Sequence, residues 1–148
     1  DDALIGALIT AVRQACESYT GRMLISQTWR LWLDRADAPL TTGGLPWESD
    51  AQNIVALPRL PLQNVTALSS FAEDGTETVF SAASYYLDAA SVPGRLVLKD
   101  NASWPAVLRR VAAIRIDFTA GYGDTAASIP AALVQGMKQH LAQLYDNR

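Results

Sequence analysis

Histidine and cysteine are almost missing from this 148-residue chain, which has one of each, His140 and Cys16. A lone cysteine excludes an internal disulfide and makes a reducing compartment the simpler setting. No cysteine or histidine pair stands at metal-ligand spacing. A Ser-His-Asp or Cys-His site would have to use His140. Positive charge is also short: 12 Lys and Arg stand against 15 Asp and Glu, a net charge of -3. That balance lacks the clustered basic face of a sequence-specific nucleic-acid reader. No apolar run approaches the roughly 20 residues that span a bilayer, so no membrane partner is expected. Residues 1–22 lack the basic start of a signal peptide. Internal repeats and low-complexity tracts are absent. The chain opens at Asp1 and not at Met, so some upstream sequence is expected to have been removed.

What remains is a globular composition, 49% hydrophobic and 18% charged, in a chain long enough to bury a core without staples. Leu4, Ile5, Leu8, Ile9, Val12, Ala15, Cys16 and Tyr19 recur at three- and four-residue spacings. They predict one apolar stripe on a helix over residues 2–20, with Arg13 and Glu17 turned outward and Cys16 a buried small hydrophobe. Gly21 suits the position just past the helix end. A second stripe, Leu133, Val134, Met137, Leu141, Leu144 and Tyr145, predicts a helix after Pro130, a residue that fits a first helical turn. His140 lies at the edge of this stripe. Neither helix is stable alone, so the two are expected to pair.

Between them the period changes to two. Gln27, Trp29, Leu31 and Leu33 alternate with Thr28, Arg30, Trp32 and Asp34, with a tryptophan on each face to be covered. Residues 35–52 are turn-rich and read as a long loop. Further strands are predicted at Asn53–Leu57, Val65–Phe71, Thr76–Phe80, Tyr85–Asp88, Leu96–Leu98 and Ala112–Ala120, the last the longest. Pro58 and Pro61 interrupt the ladder. Asp74-Gly75 marks a hairpin and Val92-Pro-Gly-Arg95 a second turn. Short, sequential, turn-linked strands favour antiparallel pairing. The fold class is therefore α+β, with N- and C-terminal helices packed together and an inserted antiparallel β meander or small barrel. The divisions are residues 1–23 and 129–148 for the helical core and 24–128 for the β-rich insert, in a single compact unit.

Chemistry-bearing constellations are scarce. Gly121-Tyr-Gly-Asp124 lacks the Gly-Lys-Ser/Thr ending of a phosphate loop and reads as a bend after a strand. Asp34, Asp37, Glu48 and Asp50 sit in or beside the long loop without calcium-loop spacing and read as a solvated acidic loop. Asn64-Val-Thr66 and Asn101-Ala-Ser103 match the glycosylation triplet, with no secretory signal to support them. Arg95 and Arg109-Arg110 read as solvated turns. Trp47 and Trp104, each beside a proline in a loop, are poor core candidates and are expected as partner contacts.

Taken in order, the border motifs resemble the head–tail connector (adaptor) proteins of long-tailed double-stranded DNA bacteriophages, in the subgroup with a β insert. Glu17-Ser-Tyr-Thr-Gly-Arg22 looks like the stop of the family's first core helix. Asp74-Gly-Thr-Glu77, Tyr86-Leu-Asp88, Pro93-Gly-Arg95-Leu-Val-Leu98 and Trp104-Pro105 resemble the insert. Phe118-Thr-Ala-Gly-Tyr-Gly123, Ile129-Pro130 and Tyr145-Asp-Asn-Arg148 look like the return to the helical core and its end. Related proteins occur in prophages and gene transfer agents.

The resemblance implies a structural protein and not an enzyme, with no metal or cofactor. It implies a ring of identical subunits between portal protein and tail, extending the DNA channel and docking the next neck protein. Its place would be the virion neck, reached from the host bacterial cytoplasm during assembly. The acidic balance agrees, since a channel that double-stranded DNA slides through must not grip phosphates. A ring needs a heterologous interface. Arg13, Glu17 and Arg22 on one side, against Lys138, Tyr145 and Arg148 on the other, are the expected contacts. Alternatives are another neck or tail-completion protein, a small β-rich ligand-binding module with a concave aromatic pocket, and a hydrolase using Asp34, Asp37 or Asp117.

Overall fold

The structure, a computed structural model, describes residues 2–34 and 53–147. The chain divides into two compact units, Asp1–Gln27 with Gly121–Arg148, and Thr28–Ala120. The class is α+β, as the two periodicities predict.

The first unit is a helix pair. Helix α1 spans Asp2–Thr20 and α2 spans Ala131–Asp146. Thr20 Oγ1 donates to the Cys16 carbonyl at 2.7 Å, and Gly21 takes φ 65, so α1 ends where its glycine allows. The two helices pack on each other. Their apolar stripes are less covered than the periodicity implies: in α1 only Val12 is buried, and in α2 no residue is. Cys16 is correspondingly half-buried and not a core residue. Two helices give each other one contact line, whereas a stripe three residues wide needs a third neighbour to close over it.

The second unit carries the β insert. Its strands are β1 (Gln27–Leu33, which starts at the unit border), β2 (Ile54–Leu57), β3 (Leu62–Phe71), β4 (Glu77–Val79), β5 (Tyr85–Asp88), β6 (Gly94–Leu98) and β7 (Ile114–Ala120). Among the described residues they form two antiparallel sheets and no closed barrel: four strands in the order β1-β7-β3-β4, and three in the order β2-β6-β5. Strand β7 alternates buried and half-buried along its whole length. Ile114, Ile116 and Phe118 point into the core with Leu57, Leu68 and Leu96, each 1% exposed or less. Full burial of each such side chain is worth about 1.5–3 kcal/mol. Registers pair Val65 with Phe118 and Leu68 with Ile116, and, in the other sheet, Val55 and Leu87 with Leu96.

Among the described residues the longest strand is β3, ten residues, and not the one that ends at Ala120, which has seven. It begins directly after Pro61, because a proline just before a strand removes no ladder bond from it. The Asp74-Gly75 hairpin joins β3 to β4 as expected. The Ala72 amide donates to the Thr76 carbonyl at 2.9 Å, and Asp74 Oδ1 accepts from the Thr76 amide at 2.9 Å. Gly94 marks a close approach: a Cβ there would lie 2.6 Å from Leu62 Cδ2, so β6 reaches β3 only without a side chain.

Candidate assembly surface

The motifs at the two ends of the insert meet in the helical unit. Glu17 Oε1 accepts from the Leu24 amide at 3.0 Å and from Gln27 Nε2 at 3.3 Å. This carboxylate, outward-facing by its place on the helix, instead pins the chain leaving α1 beside buried Leu24. Arg22 Nη1 donates to the Tyr122 hydroxyl at 2.9 Å, and the Ser26 amide donates to the Gly123 carbonyl at 3.0 Å. Gly121 has φ 140, and a Cβ there would stand 2.5 Å from the Ile25 carbonyl oxygen. The Gly-Tyr-Gly bend is thus a clasp in which the chain re-entering the helical unit crosses the chain leaving it, with no room for a side chain.

Beyond the clasp, α1 and α2 leave two hollows, both lined by Val12 and Met137. One, of about 320 Å³, is walled by Ile9, Leu24, Val134 and Leu141, with Arg13 and Lys138 also lining it. The other, of about 530 Å³, is walled by Cys16, Tyr19, Leu133 and His140. Ile9 is 52% exposed and Tyr19 94%. Burial and, next, the Glu17 carboxylate push the Cys16 thiol above its usual pKa. The thiol therefore stays protonated at neutral pH, the opposite of an activated nucleophile.

On the four-stranded sheet, carboxylates are tied to cations. Asp117 is gripped by Arg30 on β1, with Arg115 Nε 3.6 Å from Asp117 Oδ2. Arg115 also reaches Glu77 on β4 at 2.7 Å. The hydrogen bond from Arg30 is the main cause that holds the Asp117 carboxyl below its usual range. A general acid needs the opposite displacement. Among the described residues, no group of three or more His, Cys, Asp or Glu could hold a metal ion.

No protein-family model and no curated protein matches the chain. Solved structures do. A chain in the neck of an empty gene transfer agent particle, computed with C6 symmetry, is 27% identical, with TM-score 0.76 over 99% of this chain and 68% of that one. A chain in the neck of a native particle, computed with C12 symmetry, is 29% identical, with TM-score 0.72 over 97% of this chain and 70% of that one. A chain in the virion of a native gene transfer agent particle is 27% identical, with TM-score 0.71 over 99% and 67%. The resemblance to phage head–tail connector proteins holds. The likeness extends over helices and insert together, and two of these neighbours are chains of particle necks.

The residues expected at subunit contacts fall into three groups. Arg13 and Lys138 both line the smaller hollow. Glu17 and Arg22 have partners within their own unit. Tyr145 is half-buried on α2, and Arg148 lies outside the described residues. Trp47, with Asp37, Glu48 and Asp50, also lies outside them. Trp104 is half-buried, its ring edge-on to Phe80 at 5.3 Å between centroids. Asp34 accepts from the Ala112 amide at 2.9 Å.

Two arginines and one tryptophan, Trp32, behave differently from what their sequence setting implies. Arg109 is not a solvated turn residue. Its Nε donates to the Ala112 carbonyl at 2.7 Å, and its guanidinium lies 4.5 Å from the Phe71 ring centre. Arg95 Nη2 bonds Asp88 Oδ2 at 2.6 Å, across the β5–β6 pair. Trp29 is covered by Arg59, 4.4 Å above its ring, as the alternation expects, whereas Trp32 packs on Phe71 at 5.5 Å yet stays 41% exposed. Tyr122 and Gln27, the partners of the helix stop, are not evident from sequence. Nothing local to either residue signals them, because each acts on a group brought near by the fold.

Proposed function

We propose that this chain is a subunit of a connector ring in the neck of a phage-like particle, placed between portal protein and tail. There it extends the channel through which double-stranded DNA passes and offers the docking face for the next neck protein. One observation carries the reading: the likeness to particle-neck chains runs over 99% of this chain at TM-score 0.76 and does not stop at the helices or the sheet alone.

The chemistry of the chain supports a role without catalysis. Asp117 is held as a carboxylate by Arg30 and Asp88 by Ser91 and Arg95, and the Cys16 thiol is held protonated. The net charge of -3 lets phosphates pass without a tight grip. Arg13 and Lys138 are the retained candidates for contact with the next subunit.

The test is genetic and structural. Cells lacking the gene are expected to make DNA-filled heads without tails, and a plasmid copy restores whole particles carrying the chain as a ring at the neck. Whole tailed particles assembled without the chain would refute the proposal.

A further inference from the structure

Residues 107–111, between β6 and β7, form a strap held more firmly than its own packing requires. Of these residues only Leu108 is buried; Val107 and Val111 are 62% and 71% exposed, and Arg110 is exposed. Hydrogen bonds nevertheless pin the strap to two strands. The Arg109 amide donates to the Phe71 carbonyl at 3.1 Å, and Arg109 Nε donates to the Ala112 carbonyl at 2.7 Å. The Ala112 amide donates to Asp34 Oδ1 at 2.9 Å. Between these tethers Ala112 takes φ 52, a left-handed conformation that its Cβ disfavours. Strain that the surroundings over-determine collects where geometry is used. A loop fixed before contact also loses little freedom on binding.

We infer that this strap, together with Trp32, docks an acidic segment of a different protein, with Arg110 pairing a carboxylate and Val107 and Val111 covering aliphatic side chains beside it. The Arg109 guanidinium stands 4.5 Å from the Phe71 ring centre and 5.6 Å from that of Trp32, so strap and rings form one surface. Trp32 at its side is 41% exposed. Tryptophan and arginine are the residues that anchor protein interfaces. The charge that chooses the occupant is local. Arg30 is matched by Asp117, and Arg115 by Glu77. Among the described residues neither Arg109 nor Arg110 pairs with a carboxylate. Arg109 is engaged by a carbonyl, which leaves Arg110 as the cation open to a partner. A carboxylate on that partner steers its approach and fixes its register. Duplex DNA is the poorer occupant. Its affinity grows with the number of phosphates neutralised, whereas this surface sets a single open arginine among exposed valines. The inference does not depend on the neck reading, because it names a chemistry and not a place.

The test places a photocrosslinking residue at position 111 of the full chain in the cells that make it. Mass spectrometry of the crosslinked peptides is expected to find one segment of a different protein, with Asp or Glu beside aliphatic residues. Arg110→Glu is expected to lower that crosslink about tenfold, and changing the partner's acid to Arg in the same cells restores it. Val107→Ser, which leaves the charge alone, is expected to weaken the crosslink as well. Positions 107 and 110 are exposed, and the bonds that hold the strap belong to Arg109 and Ala112, so both variants keep the parent melting temperature. A crosslink to DNA, to a second copy of this chain, to a segment without a carboxylate, or to nothing overturns the inference. So does an undiminished crosslink in Arg110→Glu, or failure of the charge exchange to restore it. Absence of the chain from purified particles is a separate result, which removes the neck reading and leaves this one standing.

Discussion

Arg30 and Asp117 face each other on neighbouring strands through two hydrogen bonds, Nε to Oδ1 at 2.6 Å and Nη2 to Oδ2 at 3.0 Å. The Asp117 side chain is 15% exposed and also faces Arg115. The folded carboxyl titrates below its usual 3.8, chiefly through the Arg30 hydrogen bond. A lowered folded pKa adds stability above the unfolded value, and that stability is lost as pH falls through the folded one. Asp117→Asn is therefore expected to be less stable than the parent at pH 7, by about 1–2 kcal/mol. The gap should narrow steadily below about pH 4. Urea unfolding at a series of pH values measures both, and a gap that is constant with pH would show that the charge is irrelevant.

Glu17 offers a cleaner separation of roles. Its carboxylate accepts from the amide of Leu24, a residue 1% exposed. Glu17→Ala leaves that amide without this acceptor and is expected to cost about 1–2 kcal/mol. Glu17→Gln keeps an acceptor oxygen at the same reach and should recover most of the loss. Both variants should still form rings, because the carboxylate works inside its own subunit. Thermal melts and sedimentation velocity read the two properties independently.

The clasp predicts a steep penalty at Gly121. A Cβ there meets the Ile25 carbonyl oxygen at 2.5 Å, on a backbone with φ 140. Gly121→Ala is expected to lower stability by about 2 kcal/mol or more, from strain and collision together. Tyr122→Phe, which removes only the acceptor of Arg22, should cost about 0.5–1.5 kcal/mol. Equal effects of the two changes in a denaturant melt would count against the clasp.

Phe118 tests the core of the insert. It is 1% exposed and paired with Val65 across β7 and β3. Phe118→Ala should destabilise the protein by about 3–5 kcal/mol. Val79→Ala, at a 69% exposed position on β4, should fall within about 0.5 kcal/mol of the parent. Expression level and melting temperature are sufficient readouts.

Much of the local structure is legible in the order of residues. The two helices and the alternating strands follow from 3.6- and 2-residue spacings, which are local properties of side-chain direction. The Asp74-Gly75 hairpin and the Gly21 stop follow from the backbone conformations those residues tolerate. Strand β7 alternates as Ile114, Ile116 and Phe118 predict. The extent of β3 is less legible. A proline in an extended run signals an interruption of the ladder, whereas Pro61 merely precedes the strand.

The primary sequence alone settled which segments are helical or extended, which side of each is apolar, and the order of motifs that resembles a connector. Tertiary structure decided what those faces meet. It split the insert into two sheets, since β7 pairs with β3 across a long stretch of chain while β6 collects β2 and β5. It turned Glu17 inward to the Leu24 amide and brought Arg22 to Tyr122, a hundred positions away. It also left Ile9 half exposed on a stripe that periodicity marked for burial. Spacing along a chain records which way a side chain points. Whether another surface lies there depends on contacts between segments distant in sequence, and no local pattern encodes them.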